Sequence, residues 1–239
     1  MNSTYGLDKC LTFINCHLQA PPRESWDEPV PSRRAITISR QAGSGGHAIA
    51  EKLADHLKAQ EPEDSQPWSV FDRNLVKRVL EDHHLPARLA RFMPEDRISQ
   101  ISDTMDELFG LHPPSWILVR KTSETILHLV ELGHVILIGR GANIITSKLP
   151  HAFHVRLLGS LEQRVKKLQE LNGINPKDAL RLAAHEDLAR RRYIKQFFGK
   201  DIDDPLLYHL VINTDLVSVD EAARMIALAM APKPMAMAA

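Results

Sequence analysis

The sequence predicts an α/β fold in which helices cover both faces of a five-stranded parallel sheet, with a helical insertion and a lid. Two observations predict this class: short apolar, β-rich runs alternate with helical patterns, and helix start signals stand between the runs. Continuous apolar runs of this length are typical of strands buried on both faces. The runs are AITIS (35–39), WSVF (68–71), HVILIG (134–139), AFHVRLL (152–158) and HLVINT (209–214).

Three helix starts are marked by capping patterns late in the chain. A serine followed three residues later by Glu or Gln fits the capping box, and an asparagine before proline fits a cap with proline at the first helical position. These patterns are Ser160 with Gln163, Ser218 with Glu221, and Asn175 with Pro176.

The chain divides into three parts. Residues 1–34 are predicted to form an amphipathic helix, with apolar residues at helical spacing between Leu7 and Leu18, followed by a proline-rich linker. We expect this helix to dock on the domain or to pair two copies as a homodimer. Residues 35–231 form the main domain, and residues 232–239 form a small-residue, proline-broken tail that we expect to be flexible.

Two segments of the main domain exceed what a simple crossover between parallel strands requires. The helical patterns between the second and third strands, at about residues 73–132, predict a helical insertion. An arginine-rich helix before the last strand, at about residues 185–204, predicts a lid.

Composition excludes several kinds of partner. Thirty Lys and Arg residues balance thirty Asp and Glu residues, so no global basic field favours nucleic acid or an anionic membrane. Cys10 and Cys16 are too few for a disulfide framework, and no spaced Cys/His set suggests zinc. Because no signal peptide or transmembrane stretch is present, we expect a soluble, cytoplasmic protein.

A glycine-rich loop after the first strand predicts a phosphate site. The sequence AGSGGHA (42–48) lets backbone N–H groups approach an anion, and the helix that follows presents its positive N-terminal end. The predicted phosphate-binding residues are Gly43, Ser44, Gly45, Gly46 and His47.

The same loop leaves a second interpretation open. Gly43, Gly45 and Ala48 also fit the dinucleotide fingerprint G-x-G-x-x-A, with Asp72 as the acid for a ribose. The helical insertion and the arginine-rich helix have no role in a hydride-transfer domain, so this interpretation ranks behind phosphoryl transfer.

Five stretches of the chain, taken in order, resemble the cytidylate kinase-like branch of the P-loop nucleoside monophosphate kinases. They are ITISRQAGSGGHAIAEKLADHL, FDRNLVKRV, VILIGRGANII, AFHVRLLGSLEQRVKKL and LVINTDLVSVDEAARMI, over residues 35–230. The resemblance implies a P-loop NTPase-type sheet and a phosphotransferase that uses ATP and Mg²⁺. Its implied partners are a nucleotide donor and a small phosphorylated acceptor, with CMP or dCMP as the first candidates.

The loop departs from the pattern GxxGxGKGT of typical nucleoside monophosphate kinases, whose lysine contacts the β- and γ-phosphates. On that pattern the first glycine becomes Arg40, the lysine becomes Gly46 and the threonine becomes Ala48. The resemblance therefore makes Arg40 the candidate catalytic cation. Ser44 is the one hydroxyl in the loop, and a candidate contact for Mg²⁺ or phosphate.

An arginine at the end of the third strand is the leading acceptor-site candidate. Gly139 and Arg140 resemble the GRD of cytidylate kinases, with Gly141 in place of the aspartate, and the resemblance implies that Arg140 is catalytic and faces the acceptor phosphate. It also implies an acceptor-binding role for Asp72 and Arg73, although Asp72 fits equally well as a cap of the helix that follows.

The stretch HEDLARRRYIKQFFGKD carries the lid arginines that the resemblance implies. Arginines of such lids close over the polyphosphate and stabilise the charge that develops during transfer. A solvated helix with Glu186–Arg190 and Asp187–Arg191 pairs is the simpler alternative. The lid candidates are Arg190, Arg191 and Arg192, and among them Arg191 is the candidate catalytic residue.

The absent loop lysine and threonine also support a function of another class. With Gly141 in place of the GRD aspartate, they fit a catalytically weak or inactive nucleotide-binding protein that senses or regulates.

Overall fold

The computed structural model describes residues 34–62, 66–72, 105 and 117–230. The predicted N-terminal helix with its pairing role, residues 73–116 of the insertion apart from Met105, and the tail lie outside the described residues. The strands are β1 (Ala35–Arg40), β2 (Ser69–Phe71), β3 (Val135–Ile138), β4 (Ala152–Leu158) and β5 (Leu210–Asn213). The helices are α1 (Gly46–Ala59), α2 (Ile117–Leu132), α3 (Ala142–Ile145), α4 (Leu161–Asn172), α5 (Pro176–Phe198) and α6 (Val219–Met230).

The five strands form one parallel sheet in the order β2-β3-β1-β4-β5. In the central strand, Ile36 lies opposite Ile136 of β3 and Phe153 of β4. Since β1 pairs on both sides, its carboxyl end and the loop after it lie in the middle of one sheet edge. The predicted α/β class with a five-stranded parallel sheet is confirmed.

Helices cover both faces of the sheet, as the alternation of strand side chains requires. Ile36 and Ile38 point to one face, where they pack with buried residues of α1 and α6. Ala35 and Leu137 point to the other, where they pack with the buried face of α2. The apolar residues of α2 therefore form a core face. No helix in the described ranges is long and apolar enough to cross a membrane.

The three predicted helix starts are observed. The box at α6 is complete, because the Ser218 N–H donates to Glu221 Oε2 (2.8 Å) and the Glu221 N–H donates to Ser218 Oγ (3.2 Å). The other two caps accept a backbone N–H from three residues on: Ser160 from Gln163, and Asn175 from Asp178.

Two buried histidines are expected to lower the free energy of unfolding as the pH falls. Burial lowers the pKa of His128 in α2 from 6.5 to about 4, and burial together with the neighbouring His209 lowers the pKa of His154 in β4 to about 4. Because these values lie below those of the unfolded chain, the unfolded state takes up protons first as pH falls. This contribution to stability is complete above pH 6.5 and is lost progressively between pH 6.5 and 4.

His128→Leu is expected to flatten this pH dependence by removing one of the two groups. Each histidine contributes a slope of up to about 1.4 kcal/mol per pH unit in that window. The free energy of unfolding, measured in urea at pH 7 and at pH 5, reports the slope, and His185→Gln at an exposed side chain is the matched control. A slope for His128→Leu as steep as that of the wild type would contradict the assignment.

Candidate nucleotide site

The glycine loop runs from Arg40, the last residue of β1, to Gly46, the first residue of α1. Gly43 and Gly45 both have φ +79°, which favours glycine. At Gly43 the reason is also steric, since a Cβ there would lie 2.3 Å from the backbone oxygen of Arg164 in α4. The loop is therefore packed tightly against the start of α4.

The loop presents open backbone donors. Within the described part of the chain, the N–H groups of Gly45, Gly46 and His47 have no hydrogen-bond acceptor. They lie at the N-terminal end of the 14-residue helix α1, where the helix dipole adds positive potential. Ser44 differs, because its buried hydroxyl donates to the Gln41 carbonyl (2.8 Å) and lines neither cavity described below. The loop can thus hold an anion through its backbone.

The turn after β3 is unusual in its backbone. Gly139, Arg140 and Gly141 have φ of +80°, +59° and +72° in succession. An arginine in the left-handed region is strained, and such strain persists where the surrounding structure holds it. The Arg140 side chain is exposed, while a Cβ at Gly141 would lie 2.6 Å from the Phe198 ring of α5. The turn therefore fits closely under α5 and directs a guanidinium outward.

Two cavities adjoin these turns. The first, of about 790 Å³, lies at the carboxyl ends of β1, β2 and β3, and the second, of about 600 Å³, lies between the glycine loop and α4. The first is lined by Asp72, Arg140 and residues of α5, and the second by loop residues with Leu168 and Leu171. Four residues line both cavities and mark the boundary between them: Arg40, His47, Glu186 and Arg190.

Arg40 reaches this boundary through space that two glycines leave free. A Cβ at Gly46 would lie 3.1 Å from Cγ of Arg40, and a Cβ at Gly139 would lie 2.3 Å from its Nη1. The arginine stem therefore passes beside Gly46, the residue that the loop pattern aligns with the usual lysine. Burial lowers the pKa of Arg40 to about 10, with further lowering by Arg190 and Arg140 and opposition from Glu186 and Asp72. The guanidinium keeps its charge at neutral pH, although burial and two cationic neighbours disfavour that charge. A bound anion would offset both effects.

The predicted lid arginines lie on α5, a single helix of 23 residues, and differ in their surroundings. Arg190 lies at the cavity boundary and donates to Glu186 and to Asp187 Oδ1. Arg191 Nη2 instead donates to Asp203 Oδ2 (2.9 Å), which raises the pKa of Arg191, and its side chain is half exposed. Arg192 is exposed and lines neither cavity.

The ion pairs on α5 depart in part from those that sequence spacing predicts. The Glu186–Arg190 pair is observed. The predicted Asp187–Arg191 pair is not observed. Arg191 pairs with Asp203, and Asp187 accepts from Arg190 Nη1 (3.0 Å). Arg191 pairs with Asp203, which lies outside α5, and Asp187 accepts a hydrogen bond from Ala42 of the glycine loop.

The predicted acceptor residues are only partly described. Asp72 lines the first cavity together with Arg140, so the structure brings these two together. Arg73 lies outside the described residues. No group of three His, Cys, Asp or Glu side chains suited to a metal ion occurs in the described ranges.

Several residues of the site carry no sequence signal of their own. Sequence spacing places Glu186 only in a surface pair with Arg190, and it gives Arg164 no role. Their roles come from packing across elements, since Arg164 Nη1 donates to the Ala42 carbonyl (3.0 Å) and Glu186 lines both cavities. The sequence motifs also give no role to other cavity residues, among them Asn143, His185 and Tyr193.

A glycine loop after the first strand of a parallel sheet, with open N–H groups at a helix start, is the arrangement of a nucleotide-binding α/β protein. The comparisons agree with this class and narrow it. The model of the cytidylate kinase-like family matches residues 35–216, and the chain belongs to that family.

The similarity to known proteins covers most of the chain. The cytidylate kinase of Pyrobaculum aerophilum is 28% identical over 192 residues, which cover 79% of this chain and 88% of that protein. The cytidylate kinase of Methanopyrus kandleri is 24% identical over 205 residues, covering 82% and 93%. The crystal structure of an uncharacterized protein from Eubacterium ventriosum superimposes with a TM-score of 0.57 at 22% identity, covering 84% of this chain and 99% of that one. The last likeness is one of fold.

Proposed function

We propose that this protein is a nucleoside monophosphate kinase that transfers the γ-phosphoryl group of ATP to CMP or dCMP. The observation that carries the proposal is the pair of cavities that meet at Arg40 and Arg190. Phosphoryl transfer requires a donor and an acceptor that approach in line, with positive charge around the group in transit. Two adjoining cavities with guanidinium groups at their boundary meet that requirement.

The glycine loop is suited to the donor. Its open N–H groups at Gly45, Gly46 and His47 would bind the β- and γ-phosphates, as in other helix-start anion sites. Arg40 would supply the charge that a loop lysine supplies elsewhere, because its stem crosses the space beside Gly46. In this proposal the second cavity, beside the loop, takes the donor.

The first cavity would then take the acceptor. Arg140 would bind its phosphate in a charge-assisted pair, with Asp72 in the same cavity. Arg190 would stabilise the charge that develops at the boundary. Arg191 could join it only after leaving Asp203, and Arg192 only by reorienting from solvent.

ATP and Mg²⁺ fit the residues present to different degrees. The open loop donors fit a polyphosphate. Mg²⁺ usually binds through one or two carboxylates together with substrate phosphates and water, and neutralises phosphate charge when bound. Asp72 and Glu186 line the first cavity, Glu186 and Glu51 line the second, and these carboxylates could hold it. The buried Ser44 hydroxyl faces the loop interior and fits that role less well.

The proposed acceptor is a pyrimidine monophosphate because the relatives from Pyrobaculum aerophilum and Methanopyrus kandleri are both cytidylate kinases. Arg140 and Asp72 would act alike on any nucleoside monophosphate, so the acceptor base has to be decided by assay.

A nucleotide-binding protein without catalysis is the second candidate. Two observations favour it: glycine stands at the lysine position, and Arg190 is already paired with Glu186 and Asp187. In such a protein the loop would hold ATP while Arg190 stays paired with Glu186 and Asp187.

ADP release from MgATP separates the two functions. We expect CMP or dCMP to stimulate release by the purified protein more than UMP, AMP or GMP does, and Arg140→Ala to abolish the stimulation. Arg181→Ala, at an exposed arginine of α5, is the matched control and should behave as the wild type. If no acceptor stimulates release while ATP still raises Tm, the loop binds without transfer and the second candidate replaces the first.

A further inference from the structure

Asp187 of α5 faces the glycine loop and receives three hydrogen bonds. Its Oδ1 accepts from the Ala42 N–H (2.7 Å) and from Arg190 Nη1 (3.0 Å), and its Oδ2 accepts from Arg164 Nη1 (2.7 Å). These donors belong to the loop, to α5 and to α4. Hydrogen bonds to an ionised carboxylate are strong, and two of these three donors are themselves charged. One side chain therefore joins three elements of the site.

The same contacts hold Ala42 from both sides. Its N–H donates to Asp187, and its carbonyl accepts from Arg164 Nη1, whose Nε in turn donates to the Gly159 carbonyl (2.9 Å). A glycine-rich segment has many accessible conformations, and an anion site built from its backbone requires one of them. The Ala42 contacts restrict the loop where it leaves β1.

Asp187 takes only the first donor of the loop. The N–H groups of Gly45, Gly46 and His47 stay open, so the carboxylate does not occupy the anion site. Its second effect is on Arg190, which it holds at the boundary of the two cavities together with Glu186.

We propose that Asp187 is a positioning residue that fixes the glycine loop to α5 and aligns Arg190 with the group in transit. The inference rests on the proposed kinase function for its catalytic consequence, but the connection to the loop stands on geometry alone. Asp187 acts through Ala42 and Arg190, and it needs no contact with the nucleotide.

A double-mutant cycle with Arg190 tests the alignment. Asp187→Asn keeps an oxygen at the Oδ1 position for the Ala42 N–H, but it removes the negative charge that holds Arg190 and sets an NH2 group against Arg164 Nη1. We expect it to lower kcat by about tenfold to hundredfold, since small displacements of catalytic groups have effects of that size, with KM for the acceptor changed by less than about threefold. In an Arg190→Gln background it should lower kcat by less than about threefold more.

A merely structural role gives another pattern. It would lower Tm and reduce kcat by the same factor with and without Arg190, and that result would overturn the proposal. Asp178→Asn, the same change at an exposed position of α5, is the matched control and should leave kcat and KM at wild-type values.

Two readouts do not depend on transfer. Hydrogen exchange at the amides of residues 41–48 should be faster in Asp187→Asn than in the wild type and unchanged in Asp178→Asn. If the wild type transfers no phosphoryl group to any acceptor, the proposed function fails, and the same cycle is measured on the Kd for ATP. Asp187→Asn should then weaken ATP binding only while Arg190 is present. Tighter binding, or unchanged exchange, would refute the positioning role.

Discussion

Arg40→Ala is expected to lower kcat for phosphoryl transfer by roughly a hundredfold to a thousandfold, the usual effect of removing one preorganised group that stabilises transition-state charge. The guanidinium lies at the boundary of both cavities, and its pKa of about 10 leaves it charged at neutral pH. Arg40→Lys keeps a charge but loses the planar fork, so it should recover part of the rate. Steady-state kinetics with saturating ATP and CMP measures the difference.

An exchange of positions makes this prediction more specific. If Arg40 replaces the absent lysine in function, the double variant Arg40→Gly with Gly46→Lys should have a kcat at least about tenfold above that of Arg40→Gly alone. It restores the first glycine and the lysine of the usual pattern, while Ala48 still stands at the threonine position. Gly46→Lys alone should harm the enzyme, since a side chain there meets Cγ of Arg40. An Arg40→Ala enzyme within threefold of wild-type kcat would remove Arg40 from the site.

Arg140→Gly and Arg140→Ala are expected to lower kcat/KM for the acceptor equally but to differ in thermal stability. Both remove the guanidinium proposed to bind the acceptor phosphate, so kcat/KM for CMP should fall about a hundredfold, consistent with the loss of a hydrogen bond between charged groups. Only glycine relieves the backbone, because φ at this position is +59°. The glycine variant should therefore have the higher Tm, equal to or above that of the wild type.

This pair of variants separates function from folding. Calorimetry gives Tm, and titration with CMP gives the acceptor constant in each variant. If Arg140→Gly retains wild-type kcat/KM, the strained turn serves folding and the acceptor phosphate binds elsewhere. If both variants lose Tm by several degrees, Arg140 stabilises the turn rather than straining it.

The sheet could be predicted because each strand has a pattern in its own local sequence. Each is a short apolar run, and all five begin and end within one residue of the predicted limits. The caps at Ser160, Asn175 and Ser218 were equally readable, since each depends on a partner three residues away. Such local patterns predict the structure because burial and backbone hydrogen bonding in the fold stabilise the same conformations that the local sequence favours.

The site could be predicted only in part, because its contacts join distant segments. Spacing on one helix suggested Asp187 with Arg191, but Asp187 is 145 residues from Ala42 and binds it nonetheless. Arg40 could be suspected from the loop alignment, whereas the room that Gly139 provides for its guanidinium could not. A one-dimensional pattern identifies candidates on each element, and three-dimensional packing decides which of them meet.

The contact between Arg40 and Gly46 also limits how this loop can change over generations. A chain that gains a lysine at position 46 first crowds Arg40, and one that loses Arg40 first lacks the cation that we propose for the donor phosphates. Under the proposed function we expect either single step to lower activity, so the two residues should change together. Selection experiments that start from this chain should therefore keep the arginine arrangement unless both codons change together.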